Sequence, residues 1–288
     1  MTTNIWPSHP STYGQLIRRS FYLYRISFRQ VLFITILLGV TAFLPRFMGN
    51  FTGEDLIVSS SWWDPRRIWL IAVDLVAIVL FVAMLWRING MIREKHEPLS
   101  EDFTQGAKKA VSVFVAAFIQ ALILFALVIV LFSFITVLYR YQLLFSQDFW
   151  GILFTLVIIG GQALLIFYVA TLFLFVMPII AVENKGVLHA IEKSISLVWN
   201  HWWLTISVQM TPWLCYALVM IAIKYLLHID VHIYFIYDDS RHLGSSFLQL
   251  AMFIIFIPWV ASLLLVQLKD LELRKSIRQA EHAKKISL

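Results

Sequence analysis

Between residues 150 and 182 the chain reads WGILFTLVIIGGQALLIFYVATLFLFVMPIIAV, 33 residues without one Asp, Glu, Lys or Arg. A bilayer core about 30 Å thick needs roughly 20 such residues of helix. At 1.5 Å per residue this run would reach about 50 Å. It is therefore expected to tilt, project beyond the membrane, or bend at Gly160-Gly161 or Pro178. Alternatively, two short re-entrant helices would use the same length.

Five further apolar runs flank it, at about 30–47, 68–86, 110–139, 203–227 and 247–268. The expected fold class is all-α: a polytopic six-span transmembrane helical bundle with amphipathic cytoplasmic elbow helices. Residues 1–29 form an N-terminal amphipathic segment, 30–268 the transmembrane domain, and 269–288 a basic tail. Composition agrees. Of 288 residues, 60% are hydrophobic and 14% charged, against roughly 25% charged in an average soluble domain. So few charges could not cover a soluble core, which argues against a soluble enzyme, a disordered chain or a nucleic-acid-binding module, despite a net charge of +6 and a pI near 9.4. The single cysteine, Cys215, has no partner for a disulfide and reads as a small buried hydrophobe. No small-x-small cleavage site follows the first apolar run, so that run is expected to stay in the membrane.

The basic residues set an expected orientation. Seventeen Lys and Arg fall before span one, after spans two and four, and in the tail, against five on the opposite side. The positive-inside bias places both termini in the cytoplasm. Trp62, Trp63, Trp69 and Trp150 would then anchor outer span ends, and Trp86, Trp199, Trp202 and Trp203 inner ones. Arg18, Arg19, Arg25 and Arg29, with no acid among residues 1–29, form the densest basic set and would face anionic headgroups.

Three stretches beside the spans carry helical amphipathicity. In VLHAIEKSISLVWNHWW, from Val187 to Trp203, Leu188, Ile191, Ile195, Val198 and Trp202 recur at steps of three and four, with Glu192, Lys193, Ser196 and Asn200 opposite. Such a helix would lie in the interface plane before span five. LIRRSFYLYRISFRQ precedes span one and FTQGAKKAVSVF precedes span three. Arg19-Ser20, Leu23 and Phe28 align with Lys193-Ser194, Leu197 and Trp202 at a constant offset of 174. Either three hairpins repeat, each entered through an elbow, or amphipathic segments beside a membrane look alike.

The order Ala190-Ile191-x-x-Ser194-x-x-Leu197-x-x-x-x-Trp202, after a span ending in Pro178 and the turn Glu183-Asn184-Lys185-Gly186, resembles the elbow of YciC-like bacterial inner-membrane proteins. The membrane domain of some glycerophosphodiester phosphodiesterases has a similar elbow. The specific part covers about 25 residues, although the six-span layout is shared over most of the chain. The resemblance implies topology and a bacterial inner-membrane location. It brings no established activity and no catalytic residues. This chain departs from the pattern in its greater length and its aromatic outer loops.

Chemistry-bearing motifs are sparse. GxxxxGK[ST] and GxGxxG are absent; His96-Glu97 runs into Pro98; Gly244-Ser245-Ser246 lacks the spacing of a nucleophile elbow. His228, Asp230 and His232 alternate and on an extended strand would share one face, a weak metal candidate against a plain solvated loop. Pro178, Pro212 and Pro258 would kink spans four to six and free the carbonyls of Leu174, Val208 and Ile254. Gln120, Gln162, Gln209 and Gln249 put one amide in each of spans three to six, serving either as interhelical glue or as a transport path. Asp74 and Lys224 fall at similar depth in spans two and five, and an ion pair between them would offset their burial, with separate solvation of each as the alternative. The expected function is that of a non-enzymatic inner-membrane protein without cofactors. Its partners would be membrane lipids or a membrane protein, with no nucleic acid. A small-molecule or lipid transporter is the second reading and a membrane-embedded hydrolase or transferase the third.

Overall fold

Every apolar run of the sequence is helical in the computed structural model, which describes residues 6–7, 9–52, 65–94, 98–140, 149–183, 185–227 and 243–286. The helices are α1 (Tyr13–Thr52), α2 (Pro65–Ile92), α3 (Leu99–Arg140), α4 (Phe149–Leu172), α5 (Val176–Glu183), α6 (Val187–Val198), α7 (Trp202–Leu227) and α8 (Leu243–Ile286). No strand occurs among the described residues. Six helical segments are long and apolar enough to cross a membrane, with α4 and α5 together making the fourth. The fold is an all-α bundle.

The long fourth run breaks once. Pro178 has no N–H to offer the Leu174 carbonyl, and helical bonding stops at Phe173–Phe175, between α4 and α5. Shorter-range bonds, Phe173 N–H to Ala170 O and Leu174 N–H to Thr171 O, tighten the end of α4, and α5 restarts with Ile179 N–H on Phe175 O. The glycine pair does not bend the chain by a break: α4 passes through Gly160-Gly161 as continuous helix. The alternative of two re-entrant pieces is also set aside, because α4 alone has 24 residues, enough to span. Pro212 and Pro258 lie inside uninterrupted α7 and α8, so of the three expected proline positions only Pro178 coincides with a break.

Two of the three expected elbows are not separate helices. The basic N-terminal stretch forms the first turns of the 40-residue α1, and FTQGAKKAVSVF lies within the 42-residue α3. Neither stretch contains a proline, and α3 passes through Gly106 unbroken, so helical bonding runs on into the span. Only α6 stands alone, released by Gly186 before it and the turn at Trp199–His201 after it.

The packing follows from one stripe along α1. Leu16, Ser20, Leu23, Ser27, Val31, Ile34, Thr35 and Leu38 are buried at steps of three and four, and this face packs chiefly on α8 and α2. The hydroxyls of Ser20, Ser27 and Thr35 bond to Ile17 O, Tyr24 O and Val31 O of their own helix, so small residues admit a neighbour closely without stranding a donor. Close approach is tightest at two glycines. A Cβ on Gly39 would meet Leu250 Cδ1 at 2.9 Å, and one on Gly106 would meet the Val79 carbonyl oxygen at 2.5 Å.

Burial is uneven along the bundle. Around α5, the last turns of α2 and residues 257–271 of α8, most apolar side chains are buried, and one face of α6 packs there too. Beyond Ala116 on α3 no described residue is buried, and on α4 before Thr171 only Thr155 is. The α3–α4 hairpin thus leaves the packed half of the bundle and shows apolar side chains on all sides.

Gly106→Ala forces a methyl onto backbone rather than onto a yielding side chain, and overpacking of this kind costs about 1–3 kcal/mol. Gly160, with nothing near its missing Cβ, should tolerate alanine or gain up to about 1 kcal/mol from helix propensity. Thermal unfolding of the two purified variants in one detergent should lower the midpoint for Gly106→Ala alone; equal shifts would contradict the close α2–α3 approach.

Candidate functional site: the helix break and its closing elbow

The break between α4 and α5 exposes backbone groups in a region where water cannot satisfy them. α6 supplies the partner. Its Ser194 hydroxyl donates to Leu172 O at 2.6 Å and accepts the Phe175 N–H at 3.3 Å, bridging both lips of the break. Ala190, Ser194, Leu197 and Val198 form the buried face of α6, so the serine and its flanking motif residues are turned inward. Leu188, on the apolar stripe expected to lie in the interface plane, is 77% exposed. Trp202, at the end of the motif, packs edge-on against Tyr168 with centroids 5.3 Å apart.

The offset of 174 matches environments as well as letters. Ser20 and Ser194 are fully buried, Leu23 and Leu197 nearly so, and Arg19 and Lys193 half-buried. Ser20 accepts the Trp259 indole N–H at 3.2 Å, beside Pro258, much as Ser194 sits beside the break that Pro178 creates.

Below the break a network of charges ties the elbow down. Lys193 Nζ donates to both carboxylate oxygens of Glu183 at 2.7 Å and also to Glu272 Oε1. Lys269 pairs with Glu272 Oε2 at 2.7 Å. Burial pulls the Lys193 ammonium down, yet the hydrogen bonds and charges of Glu183 and Glu272 outweigh it and hold it above the ordinary lysine value. Nearby, buried Asp270 accepts the Ser11 N–H and Arg274 Nε, both at 2.7 Å, and Arg274 Nη2 donates to Ser11 O at 2.6 Å. The start of α1 is thereby fixed to α8. Burial, then the charges of Arg274 and Arg278, press His201 below the usual imidazole value. On the other flank Lys109 Nζ donates to Ala181 O at 2.5 Å, in the last turn of α5, and lies 4.2 Å from the Trp86 ring centroid. A cation suits that helix end.

Between the break and α3 lies a cavity of about 190 Å³ walled by α2, α3, α4, α5 and α8. Its lining residues are apolar except for Gln120, and Leu174, whose carbonyl the break frees, is among them. The other expected amides are engaged: Gln162 donates to Leu131 O at 3.5 Å, Gln209 to Gln267 at 2.7 Å, and Gln249 accepts from Arg46. Three of the four amides therefore join helices. Gln267, fully buried opposite Gln209, escaped the sequence reading because it lies beside the charged end of span six.

Asp74 and Lys224 are not brought together. α2 packs on α1 and α3, whereas α7 packs on α8 and α4; no ion pair joins the two residues, and Asp74 is exposed. Equal depth fixes position along the membrane normal but not around the bundle, and that is where the expectation failed. Arg18, Arg25 and Arg29 are exposed and share one helix face, while Arg19 turns inward to Ser11 Oγ at 3.0 Å. His228, Asp230 and His232 lie outside the described residues. Among the described residues, no group of three or more His, Cys, Asp or Glu is placed to hold a metal ion.

Ser194→Ala strands a buried N–H and a buried carbonyl, worth about 1–3 kcal/mol. It should lower the unfolding midpoint and speed amide exchange at Phe175; unchanged exchange there would sink the bridging role. Lys193→Met leaves two mostly buried carboxylates facing each other and should cost about 3 kcal/mol, part of it recovered by adding Glu183→Gln. Because the folded-state value of Lys193 is raised, its contribution is complete below about pH 10.4, the unfolded value, and fades as pH climbs through the raised one. A pH series of melts should show this alkaline loss in the parent and not in Lys193→Met. No family model, curated protein or solved structure matches the chain.

Proposed function

We propose that this chain is a non-enzymatic, multi-pass protein of the bacterial inner membrane, with both termini in the cytoplasm, that supports envelope lipids or a membrane partner complex. The observation that carries this reading is how the intramembrane polar groups are used. Gln162, Gln209 and Gln249 are spent on contacts between helices, and the cavity beside the broken helix is apolar. A transport path for a polar solute calls for a wet, polar-lined cavity at mid-membrane. Ligand pockets for such solutes measure about 300–1,000 Å³, and this cavity among the described residues measures about 190 Å³.

The basic face of α1 supports a lipid-facing role. Arg18, Arg25 and Arg29 stand exposed beside exposed Phe21, Tyr22 and Ile26, an arrangement that suits anionic headgroups with rings set at the interface. The resemblance of the α6 elbow to YciC-like proteins points the same way, and the same face would serve equally to seat a membrane protein partner.

Reporter fusions after residues 100, 185 and 288 should read cytoplasmic, and fusions near 58, 145 and 238 periplasmic. A periplasmic signal at 185 would reverse the assignment of α4 and α5 to one span. Mass spectrometry after gentle extraction should find anionic lipid or a membrane protein retained by the parent and depleted when Arg18, Arg25 and Arg29 become Gln; retention indifferent to those changes would remove the basic face from the function.

A further inference from the structure

We infer that the cavity beside the helix break binds the hydroxyl-bearing end of an uncharged membrane lipid, with the rest of its chain lying between α3 and α4. Two unpaired polar groups carry the argument. Pro178 deprives the Leu174 carbonyl of its helical partner, and that carbonyl accepts no hydrogen bond from any described residue. Gln120 has no hydrogen-bond partner among the described residues either, unlike the bonded amides of Gln162, Gln209, Gln249 and Gln267. Both residues line the same cavity. A polar group left unmatched in hydrocarbon costs several kcal/mol, so the pair asks for a ligand atom.

The kind of atom follows from what each group can do. A carbonyl only accepts, so the ligand must donate; the amide of Gln120 both donates and accepts. One hydroxyl meets both demands, donating a hydrogen bond to Leu174 O and accepting one from Gln120 Nε2. A hydrocarbon chain meets neither, and an ester or ether lacks the donor.

Depth excludes charge. Gln120 stands eleven residues beyond Lys109 on α3, about 16 Å of helix and half of a 30 Å hydrocarbon core. A phosphate or ammonium headgroup at that level is strongly disfavoured, whereas a neutral hydroxyl is not. Size and access agree. The cavity, about 190 Å³, exceeds the roughly 150 Å³ apolar cavity that accepts a benzene, so it holds the hydroxyl and the first carbons of a chain. Phe167, one turn along α4 from the lining residue Ala170, is exposed, which offers the remainder of the chain an apolar path into the bilayer.

Two sources share this chemistry: a long-chain or prenyl alcohol, and a diacylglycerol. The full chain would be reconstituted in phosphatidylcholine vesicles with a photoactivatable long-chain alcohol or a photoactivatable diacylglycerol, and labelled peptides mapped. Labelling should be saturable and centred on Val113, Ala117, Gln120 and Met177. Excess unlabelled alcohol or diacylglycerol should suppress it, the stronger competitor identifying the source. The methyl ether of the same alcohol should compete at least tenfold less well, the equivalent of one hydrogen bond of about 1.4 kcal/mol. Gln120→Leu should shrink that alcohol-to-ether ratio at least threefold, and Ala117→Phe should abolish cavity labelling while leaving Phe125 and Phe132 labelled. If Ala117→Phe does not fold, the Gln120→Leu ratio decides alone. Equal competition by alcohol and ether, or labelling no stronger in the cavity than at Phe125, would overturn the inference. The site rests on the bundle crossing a bilayer, which the reporter fusions test separately; failure of the labelling with the fusion map intact removes the lipid site and leaves the membrane reading standing.

Discussion

One missing N–H organises this molecule. Pro178 cannot bond to Leu174, so the fourth span must either strand backbone groups in hydrocarbon or find donors and acceptors elsewhere. The Ser194 hydroxyl answers for Leu172 and Phe175, and it can do so only if α6 turns back beneath the bundle. The elbow is therefore the clasp of a broken transmembrane helix, held in place by the same need that makes backbone satisfaction the strictest rule in membranes. Lys109 closes the far end of α5 in the same spirit, through Ala181 O. α5, eight residues long and almost wholly buried, is then fixed at both ends by side chains from other helices.

The charged groups reinforce that arrangement. Lys193, Glu183, Glu272 and Lys269 bind α5, α6 and α8 together, while Asp270 and Arg274 hold Ser11 at the head of α1. Each network joins elements far apart in sequence and surrounds carboxylates that are mostly or fully buried, where an unpartnered charge would be costly. α8 takes part in both and also packs along α1. It is the spine through which the chain's beginning, middle and end are connected.

The six apolar runs were legible because membrane spanning needs only length and an absence of charge. The break at Pro178 was legible because a missing donor is a local property. The role of Ser194 was not: periodicity set out the apolar stripe of α6, but the demand for a hydroxyl came from Leu172 and Phe175 on the broken fourth span. The continuity of α1 and α3 through their amphipathic starts was also missed, since a change of polarity along a helix resembles a change of helix. The pairing of Asp74 with Lys224 needed the azimuth of each helix, information that no single span contains. Among the amides, position in a span was readable, yet Gln120 and Gln209 looked alike until their neighbours were placed.

The hairpin of α3 and α4 departs from the packed half with almost none of its outer side chains buried. Its apolar run on α3, residues 110–139, would be about 45 Å long as helix, against a hydrocarbon thickness near 30 Å. Such a mismatch is absorbed by tilting, bending or local thickening of the lipid. The other helices are tied to neighbours through buried serines, ion pairs or, on α7, the Gln209–Gln267 bond, and α3 is tied only at its start, at Gly106. Adjustment to membranes of different thickness thus falls on this hairpin, and the α5–α6–α8 assembly can keep its geometry while the lipid around it changes.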